Sequence, residues 1–324
     1  MVPEPDVSAE PSGFVVLDDD GRRVHFLDWG GPAREDGEGQ ATRGGASGVL
    51  LVHGIAQSAW AWTPVARRVR RRAHVVAMDL RGHGLSDAPV DGYDEPSLAA
   101  DVVAVAEGSG LLPAERGVVL AGHGFGAIVA AWGATALGAR CAGLVLVDGG
   151  WERAEEATGL DLDEFLRTID EPPEVLASMR AYLADREAFD PATWDADQEL
   201  AARATVVETA AGRVVPVIRP HALAATAEAM FEYDPDPALA ALDIPITALV
   251  GRDEEGRRRV ALDQLNRQRG TAGREPIGIL SLGDLGHNLM RYRPDVVSAA
   301  VLALVRGLGR GGESAPGGTI SSEP

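Results

Sequence analysis

Five residues in a row, Gly122-His123-Gly124-Phe125-Gly126, follow directly on the apolar run 118–121 and pose the first question about chemistry. Glycines at such spacing allow a sharp change of chain direction or a close backbone approach to a ligand. The segment lacks the Lys-Ser/Thr ending of a phosphate-cradling loop, so nucleotide phosphate is not the expected ligand. Side chains able to move protons are plentiful: seven histidines, His83, His123 and His287 among them, and 49 carboxylates. An imidazole partnered by a carboxylate is a general base near neutral pH. The histidines are scattered without ligand spacing and Cys141 is the single cysteine, so neither a metal site nor a cofactor is expected.

The elements that must position these groups are legible in outline. A chain of 324 residues with 45% hydrophobic content can bury the core of one large α/β domain. Strand-like runs at 14–17, 23–29, 49–52, 74–78, 118–121 and 144–147 alternate, from the third onward, with helical patterns. One helix covers 58–72, one opens at Asp94-Glu95-Pro96 and carries Leu98, Val102 and Val105, and one ends near Leu137. The alternation predicts βαβ units and a mostly parallel sheet flanked by helices. From Gly149 the pattern changes to acidic helical segments near 161–168, 173–184 and 194–204, then a hairpin with Gly212 in its turn. The sheet resumes at 246–250 and 277–282, with a charged helix near 254–269 between them. A terminal helix carries Val297, Val301, Leu304 and Leu308 on one face. This predicts a core domain over 1–148 and 220–309, a mainly helical cap over 149–219 inserted after the sixth strand, and a disordered tail at 310–324.

Composition excludes some partners. Thirty basic residues, all arginine, against 49 acidic ones give a net charge of −19, which repels nucleic acid and anionic membrane surfaces alike. The start MVPEPDVSAE lacks the basic and apolar regions of a signal peptide, and one cysteine allows no internal disulfide, so a cytoplasmic location is expected. Residues 127–147 carry only Arg140 as charge, but glycines at 138 and 143 divide them into a helix and a buried strand rather than a membrane span. The partner expected is a small-molecule substrate.

Over about residues 14–308 the sequence resembles the α/β-hydrolase-fold family in its capped, epoxide-hydrolase-like and esterase-like form. Four segments carry the resemblance in order: His53-Gly54 at a strand end, DLRGHGLSD at 79–87, Gly122 to Gly126, and GHNLMRYRP from Gly286. The resemblance implies an oxyanion loop at the first, the nucleophile elbow at the third and the catalytic histidine, His287, in the fourth. It implies an acid at Glu254, three residues past Gly251, with the adjacent Asp253 or the strand-end Asp148 as alternatives. The N–H groups of Ile55 and Phe125 would form the oxyanion hole. Where the family carries Ser, Asp or Cys at the elbow tip, this chain has Gly124, so no covalent intermediate can form there.

These residues predict an enzyme, a hydrolase in broad class, acting on a small apolar carbonyl or ester-like substrate. His287 and an acid would supply general-base catalysis, with lyase-type or other non-covalent chemistry also open. The alternative is a non-catalytic ligand-binding protein that has lost its nucleophile. Trp60 and Trp151, with Trp62 and Phe125, fall by sequence around the expected pocket mouth and suggest an apolar or aromatic substrate; core packing explains them equally well. Ser58 reads as a helix N-cap rather than a substitute nucleophile.

Overall fold

The computed structural model describes residues 2–32, 48–112, 117–253, 256–283 and 285–307. Its strands in chain order are β1 (Ser12–Leu17), β2 (Arg23–Gly30), β3 (Gly48–Val52), β4 (Val75–Met78), β5 (Val118–His123), β6 (Cys141–Val147), β7 (Val206–Glu208), β8 (Val214–Pro216), β9 (Ile246–Val250) and β10 (Gly278–Ser281). Eight of them form one sheet in the order β1-β2-β4-β3-β5-β6-β9-β10, and β7 and β8 make a separate hairpin. The β1–β2 and β2–β4 pairs are antiparallel and the remaining pairs of the large sheet are parallel.

Period-two alternation divides the sheet residues between two cores. Leu50, Val52, Leu120, Leu144 and Leu146 face one side, where helices Glu95–Gly108, Phe125–Leu137 and Arg257–Thr271 pack. Val49, Leu51, Val119, Val145 and Val147 face the other, against helices Thr63–Val69 and Pro294–Val305. Burial on both faces explains why β3, β4 and β5 read as unbroken apolar runs. The register aligns Val52 with Gly122, His123 with Val147 and Val147 with Leu249, so the carboxyl ends of β3, β5, β6 and β9 open onto one place.

Between β6 and β9 lies the mainly helical region expected from the sequence. Its helices are set by local capping: Asp161 and Glu164 form a capping box, Ser178 caps Met179–Phe189 and Asp195 caps Ala196–Arg203. Two predicted helices are broken. Residues 173–184 split at Ser178, whose extended φ of −164° ends a 3-10 turn and begins the next helix. Residues 58–72 divide into a 3-10 turn, Ala59–Trp62, and the helix Thr63–Val69. Arg67 donates to both carboxylate oxygens of Asp197 at 2.6 and 2.9 Å, tying the inserted region to the core. Among the described residues no helix is long and apolar enough to cross a membrane. Leu308 and the predicted tail lie outside the described residues.

Candidate active site

The elbow forms where β5 meets helix Phe125–Leu137. Gly124 sits between them at φ 54° and ψ −120°, a left-handed backbone that glycine adopts freely. Its neighbours are glycine for steric reasons. A Cβ on Gly122 would lie 2.1 Å from the Gly126 carbonyl oxygen, and one on Gly126 would lie 2.2 Å from the carbonyl oxygen of His53. Elbow and β3 loop are thus pressed backbone to backbone. Gly126→Ala is expected to cost about 1–3 kcal/mol or more through overpacking; chemical unfolding against wild type measures it, and an unchanged midpoint would contradict the packing described here.

His287, on the segment before the terminal helices, meets this turn. A Cβ built on Gly124 would lie 3.0 Å from His287 Nε2. On the other side of the ring, Nδ1 is 2.7 Å from Asp148 Oδ2. Asp148 ends β6 with φ +51°, a strained conformation for a residue with a side chain. The strain is held from several sides: its N–H donates to Leu249 O at 2.9 Å, and its Oδ1 accepts the Gly251 N–H at 2.8 Å and Arg258 Nη1 at 2.5 Å. Burial works to raise the Asp148 pKa, but the His287 hydrogen bond and the Arg258 charge outweigh it and hold the group below the usual carboxylate range. Asp148 therefore stays charged, while the His287 side chain is 58% exposed.

The three carboxylates proposed from sequence are placed differently. Asp148 is hydrogen-bonded to His287. Asp253 accepts the N–H groups of Arg258 and Arg259 at 2.9 and 3.0 Å, at the start of helix Arg257–Thr271. Glu254 lies outside the described residues.

The loop after β3 is held by a neutral histidine lattice. Ala56, at φ +59°, donates its N–H to His83 Nε2 at 3.1 Å. Gly54 N–H donates to Gln57 Oε1 at 3.0 Å, and Gln57 Nε2 donates to Asn288 Oδ1 at 3.0 Å, linking this loop to the His287 segment. These bonds leave the Ile55 N–H without an acceptor among the described residues, and the Phe125 N–H, first in its helix, likewise. Two such N–H groups beside the Gly124 turn can receive an oxyanion. His123 lies behind: its ring is 4.3 Å from the His287 ring, and its nitrogens face Gln57 Oε1 and the His287 carbonyl. Burial first, then the neighbouring His287, pushes the His123 pKa down to about 3.

The tryptophans are packed. Trp151 is 2% exposed, with the Arg258 guanidinium 4.9 Å above its ring, and Trp60 sets its edge on Trp29 with centroids 6.2 Å apart. Trp62 and Phe125 are buried as well. A cavity of ≈ 260 Å³ beside the β3 loop is lined instead by the aromatic side chains of Tyr182, Phe189 and Trp194 together with polar ones such as Gln57, Asn288 and Arg291. Ser58 occupies the N-cap position of the 3-10 turn but makes no capping bond, a correction to its expected role. Its hydroxyl is buried with no hydrogen-bond partner among the described residues, and Asp79 takes the Ala59 N–H at 2.7 Å instead.

Sequence reasoning missed Arg258, Glu152, Gln57 and Asn288. For Arg258 a signal existed: it shares one helix stripe with the buried Leu262, Leu265 and Arg269 at helical spacing, so it points inward rather than to solvent.

Related proteins agree with this geometry at the level of fold. Epoxide hydrolase 4 of Mus musculus is 30% identical over 119 residues, 36% of this chain and 29% of that protein. The 2-(acetamidomethylene)succinate hydrolase of Mesorhizobium japonicum is 35% identical over 80 residues, 24% of this chain and 27% of that protein. Each alignment thus spans less than a third of the relative's length. The crystal structure of E-2-(acetamidomethylene)succinate hydrolase superposes with a TM-score of 0.70 at 19% identity, over 92% of this chain and all of that one. A thioesterase domain from the curacin biosynthetic pathway gives 0.66 at 21% identity, over 90% of this chain and 99% of that domain. Residues 49–300 match the alpha/beta hydrolase family, and with the sheet order and the strand-turn-helix at Gly124 this establishes that the chain belongs to it.

Proposed function

We propose that this protein hydrolyses a small apolar carbonyl or ester-like substrate without a covalent enzyme intermediate. The observation that carries the reading is the His287–Asp148 pair at 2.7 Å, with the free Nε2 aimed at the side-chain-less tip at Gly124. A water beside Gly124 gives a proton to Nε2 as its oxygen attacks the carbonyl carbon. The carbonyl oxygen, now negative, accepts from the Ile55 and Phe125 N–H groups. Collapse of this adduct expels the leaving group, which recovers the proton from the imidazolium. Asp148 keeps Nδ1 protonated and stabilises the imidazolium, the role of the buried acid in a triad. Support for hydrolysis comes from the names of the two hydrolase relatives. A second reading, a binding protein of the same fold, draws on Gly124 itself, which offers no nucleophile.

A paired assay of wild type and Gly124→Ser separates them, using activated esters and a fluorophosphonate probe. Serine at φ 54° and ψ −120° costs roughly 1–3 kcal/mol, and the ring of His287 must shift by a few tenths of an ångström to admit its Cβ. The expected result is probe labelling of the serine variant alone, together with wild-type turnover of an ester without labelling. If both proteins stay folded and neither reacts, the dyad and the hole are not competent and the binding reading replaces the catalytic one.

A further inference from the structure

Asp148 is held on both oxygens by partners that pull its charge in opposite directions. Oδ2 faces Nδ1 of His287 at 2.7 Å, and Oδ1 faces Nη1 of Arg258 at 2.5 Å. The same guanidinium reaches Glu152 Oε2 with Nε at 3.0 Å and lies over the Trp151 ring. Asp148 and Glu152 are 6% and 8% exposed, so the charges interact with little screening by water. Arg258 is itself fixed at the backbone, because Asp253 accepts its N–H and that of Arg259. Within the trio of Asp148, Arg258 and Glu152, one cation between two buried carboxylates leaves a net charge of one negative unit.

We propose that Arg258 is a positioning residue of the dyad: by bridging Asp148 to Glu152 it aims the Asp148 carboxylate at Nδ1 of His287, and Glu152 restores the negative charge that Arg258 would otherwise cancel. This rests on the proposed general-base role of His287 only in what the pair is for; the coupling belongs to the resting protein. The groups facing His287 are Asp148 from the end of β6, the ring of His123 from the elbow and, behind Asp148, Arg258 with Glu152 and Asp253. Burial raises the Glu152 pKa, and the Arg258 charge and hydrogen bond work against that rise, so the guanidinium is what favours the charged form of Glu152. A guanidinium that both carboxylates need is not interchangeable with an ammonium, which lacks the planar fork.

The test is an NMR titration of the His287 ring in the full chain without ligand, its signal assigned by loss in His287→Ala. Removing the negative charge with Glu152→Gln should move the titration midpoint down by about one pH unit, and removing the positive charge with Arg258→Gln should move it up by a similar amount. Arg258→Lys should move it in the same direction as Arg258→Gln, but less. Opposite signs for the two glutamine variants are what a role in packing alone would not give. Midpoints that stay at the wild-type value, or move the same way, overturn the proposal. If Arg258→Gln fails to fold, Glu152→Gln decides alone, because an unmoved or raised midpoint refutes the charge balance. If the midpoints move as stated while His287→Ala keeps full turnover, the coupling stands and the general-base reading falls.

Discussion

His287→Ala should lower kcat/KM by about 10²–10⁴ on any ester that the wild type turns over, the usual contribution of a positioned general base. In free energy that is about 3–5 kcal/mol of transition-state stabilisation. The loss should fall on kcat rather than KM, since the base acts on the attacking water and not on the bound substrate. Stability should change little, because the side chain is mostly exposed and Asp148 keeps its Gly251 and Arg258 partners. Asp148→Asn should be nearly as damaging to kcat, but for a different reason. An amide cannot stabilise the imidazolium and can present N–H rather than oxygen to Nδ1, favouring the wrong tautomer. Steady-state kinetics with circular dichroism as a folding control measures both. Full activity in folded His287→Ala would remove the histidine from the reaction.

The sequence carried the fold well because its signals are local. The alternation of Val49 and Leu51 with Leu50 and Val52, the Asp94 cap and the Gly212 turn each specify an element without reference to the rest of the chain. Gly122 and Gly126 were legible for the same reason. What stayed open was whatever depends on strand order. Asp148, Asp253 and Glu254 all follow a strand, and only the adjacency of β6 and β9 shows which described carboxylate reaches His287. Helix phase could have revealed Arg258, yet the run Glu254 to Arg259 reads as a solvated charged start when composition is weighed before periodicity. The tryptophans stayed open between pocket and core for another reason. Nearness in sequence to Gly54 and Asp148 says nothing about which way a large side chain turns, and Trp62 and Trp151 turn into the two cores.

The histidines beneath the β3 loop should make the fold acid-labile well above the range where carboxylates titrate. His53 gives its Nδ1 hydrogen to Gly54 O at 2.8 Å and accepts the Leu80 N–H on Nε2 at 3.1 Å; His83 gives its own to Arg81 O at 3.0 Å and accepts the Ala56 N–H. Each neutral ring is fully satisfied, and protonation would set N–H against N–H. The two rings are also 5.2 Å apart, so a charge on one opposes a charge on the other. Burial, the largest cause, lowers the pKa of His53, and burial followed by the nearby His53 takes His83 down to about 3. In the unfolded chain both titrate near the ordinary histidine value. Below it the unfolded state therefore binds protons that the folded state resists at His53 and His83, and at the buried His123, which is also pushed down to about 3, so stability must fall as pH falls. Each ring held at about 3, as His83 and His123 are, accounts for a loss of about 2 kcal/mol between pH 6.5 and pH 4.5, and His53 adds to it in the same direction, together a large share of the roughly 5–15 kcal/mol that holds a domain together. Asp79 and Asp148, whose pKa values are depressed, contribute stability that is lost in a lower window, as pH falls from the usual carboxylate value through their depressed ones. Urea unfolding at a series of pH values checks the slope, and His83→Gln should remove about 2 kcal/mol of the loss while lowering stability at neutral pH. A stability that stays flat from pH 6.5 to 4.5 would mean that these rings are protonated in the fold. The hydrogen-bond scheme that shapes the loop after β3 would then be wrong at Ala56, next to the Ile55 N–H on which the proposed chemistry depends.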